Sequence, residues 1–311
     1  MKSAIPQKRK SGLYRRDNVY LYIMIAVPAL LIFIFKYLPM GGLVLAFKDY
    51  RYDLGILGSK WCGLKNFMYF LKSNDFGTVT RNTLLLNFGF MVFGTIAAVT
   101  VAILMSNVIK ARYVKTYQTV LILPHFLSWV IVGYVAYAIL NPEFGLANTL
   151  LEKLGKGRIS WYSEPKYWPA ILTVASVWKH VGMNSIIYYS ALLGIDETLY
   201  EAAEIDGASS WQKTKYITLP SILSMIVMLN ILAVGNIFRA DFGLFYQLTR
   251  DSGALYATTD VMDTYVFRVM RTMGDVSTSA AAGFVQSIVG FITVVTTNAI
   301  VRKIDSDSAL Y

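Results

Sequence analysis

Residues 201–220 read Glu-Ala-Ala-Glu-Ile-Asp-Gly-Ala-Ser-Ser-Trp-Gln-Lys-Thr-Lys-Tyr-Ile-Thr-Leu-Pro. The alanines and glutamates favour a helix that ends at Ile205, and Gly207 is suited to end or redirect that helix. Ser209 or Ser210 can cap a second short helix, and Pro220 suits the first turn of a third. The stretch therefore predicts two short helices that meet at a glycine and lead directly into a longer one.

The chain around this stretch is unusually apolar. Of its 311 residues 55% are hydrophobic and 15% are charged, whereas about 25% are charged in an average globular protein. An intrinsically disordered chain needs low hydrophobicity, and a disulfide scaffold needs more cysteines than the single Cys62. The composition indicates a protein embedded in a lipid bilayer and disfavours a soluble enzyme.

Six apolar runs are long enough to cross a membrane as helices. A helix spans a hydrocarbon core of about 30 Å with roughly 20 residues, because each residue adds about 1.5 Å. We therefore predict an all-α polytopic membrane protein with six transmembrane helices, at residues 20–38, 83–105, 119–140, 168–193, 220–238 and 280–301. The even number places both termini on the same side of the membrane.

The basic residues indicate the orientation. The net charge is +10, but Lys and Arg lie mostly between the apolar runs, which is typical of a membrane protein and not of one that binds nucleic acid. They divide equally between the two sets of loops, yet six of them directly precede the first span: Lys2, Lys8, Arg9, Lys10, Arg15 and Arg16. We therefore expect both termini to lie in the cytoplasm. A secretory signal is the alternative for the first span, and the five later spans disfavour it.

The stretch at 201–220 resembles the signature loop of the permease subunits of binding-protein-dependent ABC importers. The resemblance rests on Glu201, Ala202, Ala203, Asp206, Gly207 and Ala208, followed by Ile217, Leu219 and Pro220. In that family the loop is a cytoplasmic coupling helix, which docks in a cleft of the ATPase subunit and transmits its closure to the membrane helices. The resemblance thus implies that the first six of these residues couple ATP hydrolysis to transport. An ordinary amphipathic linker between two spans is the alternative.

The resemblance extends over residues 80–303 and implies a five-helix permease core with its coupling loop at 194–220. Before the core we expect a basic cytoplasmic tail at 1–19 and a first transmembrane helix with an outer loop at 20–79, and after it a cytoplasmic tail at 304–311. Residues 123–130, 141–145 and 242–246 are similar to permeases of oligosaccharide importers related to the maltose, alginate and rhamnogalacturonan systems.

The family also implies a location in the bacterial cytoplasmic membrane, and it implies partners. These are a second homologous permease, two ATPase subunits that use ATP and Mg, an extracellular or periplasmic substrate-binding protein, and a sugar. The chain itself lacks a phosphate-binding loop, since Gly155-Lys156-Gly157 is the nearest fragment, and its two His and one Cys are too few for a metal centre. We therefore expect no catalytic residue, no metal and no bound cofactor.

A secondary transporter or channel for a small polar solute is the alternative from a different class. Such proteins need ionisable groups at membrane depth or internal repeats. Lys179 and His180 are the candidates within a span, and no repeat relates the two halves of the sequence.

Polar side chains inside the predicted spans should face the bundle interior or a wet cavity, because lipid offers them no partner. For the substrate pathway we predict Lys179, Asn184 and Asn236, with Trp178 and Tyr188 as aromatic neighbours; hydrogen bonding between helices is the alternative role. His125 follows Pro124, which frees a backbone carbonyl one turn earlier that His125 could bond; we favour a packing role for the resulting kink, and gating is the alternative. Residues 244–278 are too charged for lipid and predict an outer helical cap. The default interpretation of its charges is a solvated face, and contact of part of this cap, with residues 48–81, with the binding protein is the functional alternative.

Overall fold

The computed structural model describes residues 11–108 and 110–304, so that residues 1–10 and 305–311 of the two predicted tails lie outside the described part. The first helix, α1 (Ser11–Ile32), continues through a π-helical turn at Phe33–Tyr37 and a 3-10 helix at Leu38–Phe47. The segment after it holds a two-residue strand pair and short helices, namely β1 (Lys48–Asp49), α2 (Gly55–Gly58), β2 (Lys60–Trp61) and α3 (Lys65–Leu71). The strands are antiparallel, with Lys48 opposite Trp61.

Helices make up most of the remaining chain. The middle part contains α4 (Asn74–Ser106), α5 (Ala111–Ile122), a 3-10 helix at Leu123–Phe126, α6 (Trp129–Leu140), α7 (Leu146–Lys153), 3-10 turns at Trp161–Ser163 and Pro165–Tyr167, and α8 (Trp168–Leu192). The last part contains α9 (Glu197–Ile205), α10 (Ser210–Lys213), a π-helical turn at Thr214–Thr218, α11 (Leu219–Ser221), α12 (Leu223–Gly235), α13 (Phe242–Thr249), a 3-10 turn at Gly253–Leu255, α14 (Tyr256–Thr259), α15 (Met262–Arg271) and α16 (Val276–Ile304).

Helices cover all six predicted spans, but not all are straight crossings. In the described part, three continuous helices are long and apolar enough to cross a membrane, at Val19–Phe47, Asn74–Ser106 and Val276–Lys303. Two further spans are bent pairs of helices, and counting each pair as one span gives up to five. The remaining predicted span is α8, whose 25 residues are long enough to cross but include Lys179, His180 and Asn184. The all-α polytopic architecture is confirmed.

The third predicted span differs most from the expectation. We predicted one helix kinked at Pro124, whereas the chain bends by 93° between Phe126 and Trp129. Leu127 and Ser128 adopt extended backbone, and the Ser128 hydroxyl accepts a hydrogen bond from the amide of Ile131 at 3.4 Å, which caps α6 as a new helix. A serine immediately before an apolar helix favours such a cap over a continuous helix.

Small residues allow the helices around this break to pack closely. A Cβ at Gly182 of α8 would lie 2.0 Å from the backbone oxygen of Leu121, so α5 contacts the backbone of α8 directly. A Cβ at Gly133 of α6 would lie 2.8 Å from the backbone oxygen of Gln247 in α13. Both helices that flank the break are therefore fixed against their neighbours by glycine.

The segment predicted as a cap is helical and packs on the start of α8. Trp168 and Leu172 of α8 are fully buried in a cluster with Leu244, Leu255 and Val261. The carboxylate of Asp260, itself buried, accepts a hydrogen bond from Nη1 of Arg268 at 2.9 Å. The helix that begins in this cluster ends next to α9, so the cap and the 201–220 stretch lie at opposite ends of a helix of roughly 37 Å.

Candidate functional site

The 201–220 stretch folds as two short helices that meet at a glycine, as predicted. Asp196 caps α9 by accepting a hydrogen bond from the amide of Thr198 at 3.0 Å. Gly207 ends it with φ of 76°, and the amide of Ala208 then bonds the backbone oxygen of Ala203 at 2.8 Å. An L-residue rarely adopts this left-handed conformation, so glycine at position 207 has a direct backbone reason.

Ser209, one of the two predicted caps, starts the second helix of this elbow, by which we mean residues 194–220. Its hydroxyl accepts a hydrogen bond from the amide of Gln212 at 3.3 Å, and the Gln212 side chain accepts one from the amide of Ser209 at 2.7 Å. Such a reciprocal capping box satisfies two amides that the helix leaves free.

Two contacts that the sequence analysis missed hold the elbow together. Nζ of Lys213 lies 2.7 Å from Oε1 of Glu204, so that an ion pair joins α10 to α9. This hydrogen bond lowers the pKa of the Glu204 carboxyl below its usual range. The hydroxyl of Tyr200 lies 3.0 Å from that of Thr218 and joins α9 to the turn that leads into span five. Within the elbow, α9 is therefore joined by hydrogen bonds both to α10 and to the turn that leads into span five.

The outward face of the elbow is apolar as well as charged. Ile205 is 88% exposed and Trp211 is 71% exposed, and Glu201 and Ala202 are exposed beside them. Both residues lie outside the predicted spans, so lipid does not cover them and their apolar surface is available to a protein partner. The sequence analysis considered the Glu-Ala-Ala and Asp-Gly-Ala residues and did not identify Ile205 or Trp211 as interface residues.

Lys179, the first of the predicted pathway residues, is buried at the break between α5 and α6. Its ammonium group donates hydrogen bonds to the backbone oxygens of Pro124 at 3.3 Å, His125 at 3.0 Å and Leu127. The same group lies 5.0 Å from the ring centre of Trp129. Each of these carbonyls lies where the helix ends, and a lysine there satisfies them.

In the part of the chain that the structure describes, His125 forms no hydrogen bond to the carbonyl one turn before Pro124, and its Nδ1 is buried without a hydrogen-bond partner. The packing role of the break stays a prediction, and the carbonyls that Lys179 binds are the later ones, at the break itself. The ring of His125 lies 5.7 Å from that of His180, which also lies 6.2 Å from the ring of Trp129. Nε1 of Trp129 donates a hydrogen bond to the carboxylate of Asp241 at 2.6 Å. The polar groups at the break therefore come from the 3-10 helix at Leu123–Phe126, from α6 and α8, and from Asp241 at the start of α13.

Asn184 and Tyr188 line a cavity of about 220 Å³ between α4, α8 and α12. Asn230 and Thr95 lie on its other walls, and the Thr95 hydroxyl lies 3.2 Å from the side-chain oxygen of Asn230. Asn184 is exposed, whereas Tyr188 is 3% exposed. The structure thus brings two of the predicted pathway residues together and adds two polar residues from neighbouring helices.

The other predicted pathway residues lie elsewhere. Asn236 follows the end of α12, is exposed, and donates a hydrogen bond to the backbone oxygen of Leu232 at 3.2 Å. Trp178 lines a separate groove of about 1110 Å³ between α4 and α8, whose other lining residues are mostly apolar. Within residues 11–108 and 110–304, no cluster of three or more His, Cys, Asp or Glu side chains is arranged to hold a metal ion.

Comparisons with known proteins agree with this architecture. Residues 91–307 match the family of binding-protein-dependent transport system inner membrane components. Protein LplB of Bacillus subtilis is 37% identical over 294 residues, covering 94% of this chain and 91% of that protein. The polygalacturonan/rhamnogalacturonan transport system permease protein YteP of the same organism is 35% identical over 298 residues, covering 96% and 92%.

Solved structures give the same result. A chain of a bacterial ABC transporter involved in the import of the acidic polysaccharide alginate superposes with a TM-score of 0.84 at 31% identity, covering 96% of this chain and 100% of that one. In a complex of such a transporter with a pentasaccharide-bound periplasmic protein, the TM-score is 0.83. By sequence and by fold, the chain belongs to the family of binding-protein-dependent transport system inner membrane components.

Proposed function

We propose that this chain is one of two permease subunits of an ATP-driven importer for an oligosaccharide or polysaccharide fragment. The observation that carries the proposal is the elbow. Its Glu-Ala-Ala and Asp-Gly-Ala residues lie on a largely exposed loop that internal hydrogen bonds hold together, in a chain of the permease family. Relatives that transport rhamnogalacturonan and alginate support a saccharide as the substrate.

The elbow couples the membrane helices to an ATPase subunit. Ile205 and Trp211 present apolar surface to that partner, and Glu201 offers a charged hydrogen bond at the edge of the contact. Because the Glu204–Lys213 ion pair and the Tyr200–Thr218 contact make the elbow one unit, a displacement of α9 is passed to span five. The small side chains of Ala202, Ala203 and Ala208 permit close approach of the ATPase subunit. Asp206 directly precedes Gly207, at which the backbone turns.

The sugar passes along one face of α8. His180, Asn184 and Tyr188 follow one another at four-residue intervals, and side chains at this spacing share a helix face. This face runs from the polar groups at the break to the cavity lined by Asn230 and Thr95. Aromatic faces and amide groups suit a sugar, which combines apolar ring faces with hydroxyl groups. Lys179 stabilises the break between α5 and α6, at which this face begins, by donating hydrogen bonds to the backbone oxygens there.

The partners lie at the two ends of the bundle. Two ATPase subunits bind ATP and Mg on the cytoplasmic side, where the elbow and both termini lie, and a loaded binding protein docks on the cap at the outer side. A second permease supplies the other half of the pathway. A secondary transporter needs an ionisable group that is free to exchange its ion, whereas Lys179 is bonded to three backbone oxygens.

Affinity purification of the tagged chain from its native membrane in mild detergent tests this proposal. We expect a second permease and an ABC ATPase to co-purify in fixed stoichiometry, and Trp211→Glu to release the ATPase while retaining the second permease. Purification of the chain alone from wild-type membranes would refute the assignment.

A further inference from the structure

A second pocket, distinct from the cavity at Asn184, opens between α6 and α13 on the cap side of the break. Its volume is about 230 Å³, which is below the usual range for drug-sized ligands and suits a single sugar ring. Apart from Val130 and Gly133, its lining residues are aromatic or polar: Tyr134, Tyr137, Tyr246, Gln247, Arg250 and Asp251. A site that offers ring faces, an amide and a guanidinium group within this volume is chemically suited to a carbohydrate.

The walls of this pocket are fixed by packing. Close contact at Gly133 holds α6 against the backbone of Gln247, so the two helices cannot approach further. The ring of Tyr137 packs at 5.6 Å on that of Tyr162, and Tyr246 stacks on Phe242 at 5.0 Å. Two of the aromatic faces are thus held in place before any ligand arrives, which reduces the entropy lost on binding.

Arg250 places in the pocket a positive charge that forms no ion pair within the described part of the chain, although the carboxylate of Asp251 lines the same pocket. Its guanidinium carbon lies 4.1 Å from the ring centre of Tyr137. The neighbouring carboxylate, Asp251, accepts a hydrogen bond from the hydroxyl of Tyr256 at 2.9 Å. Among the residues that the structure describes, none forms an ion pair with Arg250.

A second arginine of the cap shows the contrast. Arg268 also lies 4.1 Å from a tyrosine ring, that of Tyr256, but it is paired with the buried carboxylate of Asp260. Arg250 has the same contact with a tyrosine ring but no carboxylate partner among the described residues.

The backbone of Arg250 also lies in the left-handed region with φ of 56°, and that of Asp251 follows with φ of 50°. Consecutive non-glycine residues in this conformation carry strain that the surrounding structure must hold.

We propose that this pocket is an outer subsite for an acidic sugar ring, in which Arg250 binds the carboxylate of a uronate residue. A guanidinium group forms two parallel hydrogen bonds with a carboxylate, while the tyrosine faces pack on the apolar face of the ring. This inference rests on the proposed function and narrows its substrate class to oligosaccharides that carry carboxylates. Arg250 then selects acidic chains as they enter from the binding protein.

Ligand-observed saturation-transfer NMR on the purified permease–ATPase complex, without binding protein, tests the subsite. The probes are trigalacturonate and its trimethyl ester, which keeps the rings and removes the charge. We expect Arg250→Gln to weaken binding of trigalacturonate by about tenfold or more, because a charge-assisted pair is lost, and to leave binding of the ester unchanged. Arg250→Lys should retain part of the preference, which a folding defect would not.

Arg271→Gln is the matched control, since Arg271 is an exposed arginine of the same cap that lies 5.5 Å from a ring, that of Phe267. It should leave binding of both probes unchanged. The inference is overturned if the wild-type complex binds acid and ester equally or binds neither, or if Arg250→Gln matches the wild type. ATP-dependent uptake of a neutral oligosaccharide by the same complex would leave the proposed function standing in all these cases.

Discussion

Replacing Gly207 should uncouple ATP hydrolysis from transport in proportion to how poorly the new residue adopts a positive φ. Gly207 has φ of 76°, and a Cβ built there meets no atom within 4 Å. The cost of a substitution is therefore conformational and not steric. A non-glycine residue in the left-handed region costs about 1–2 kcal/mol, which lowers the population of this elbow geometry about 5- to 30-fold.

We expect the order Asn, Ala, Val for increasing loss of coupled uptake at this position. Asparagine adopts left-handed conformations more readily than other residues, and a β-branched residue does so least. The assay is sugar uptake and ATPase activity of the complex in proteoliposomes. Uptake by Gly207→Ala should fall about 5- to 30-fold, while the complex still inserts and hydrolyses ATP.

Gly194→Ala is the matched control within the elbow. Gly194 lies outside the left-handed region, and a Cβ there would meet the backbone oxygen of Ala191 at 3.4 Å, an ordinary contact. It should transport as the wild type does. Wild-type uptake by Gly207→Val, or equal losses in Gly194→Ala and Gly207→Ala, would refute the reasoning.

Three further predictions concern the contacts of the elbow, the break and the cavity. Lys179→Met should lower the stability of the complex by about 1–3 kcal/mol. Backbone oxygens at the break lose their donor, and this loss is only partly offset because a charge is no longer buried. Thermal unfolding measures the change, and Lys153→Met, at an exposed lysine, is the control. Lys213→Glu should reduce coupled uptake, and the exchange Lys213→Glu with Glu204→Lys should restore it; failure of the exchange to restore uptake would contradict a role for this ion pair. Asn184→Ala should change the apparent affinity for sugar with little change in stability, since this side chain is exposed to the cavity; unchanged uptake kinetics would remove it from the pathway.

The elbow was predictable from the sequence because its determinants are local. A serine cap, a glycine turn and a helix-forming composition each act within a few residues. These signals were enough to predict a helix cap at Ser209 or Ser210 and a turn at Gly207. The ion pair between Glu204 and Lys213 was not identified, since the two residues are nine positions apart, which is more than one helix turn, and the pairing depends on the angle of the glycine turn. The exposure of Ile205 and Trp211 likewise follows from that angle.

The broken third span was predicted only in part. Pro124 indicated a kink, but a bend of 93° depends on whether a donor exists for the carbonyls at the break. That donor is Lys179, which is 52 residues from Leu127 in the chain and reaches it only through the packing of α8 on α5. A lysine within an apolar run indicates a buried polar role, and the sequence alone does not distinguish a backbone partner from a water-filled pathway.

The measurement that tests the central claim most directly is uptake of labelled oligosaccharide into proteoliposomes that contain this chain with its co-purified permease, ATPase and binding protein. The account predicts accumulation against a gradient only when ATP is present on the elbow side, and loss of accumulation but not of ATP hydrolysis in Gly207→Val. Equal uptake without ATP, or uptake by this chain alone in response to an ion gradient, would contradict it.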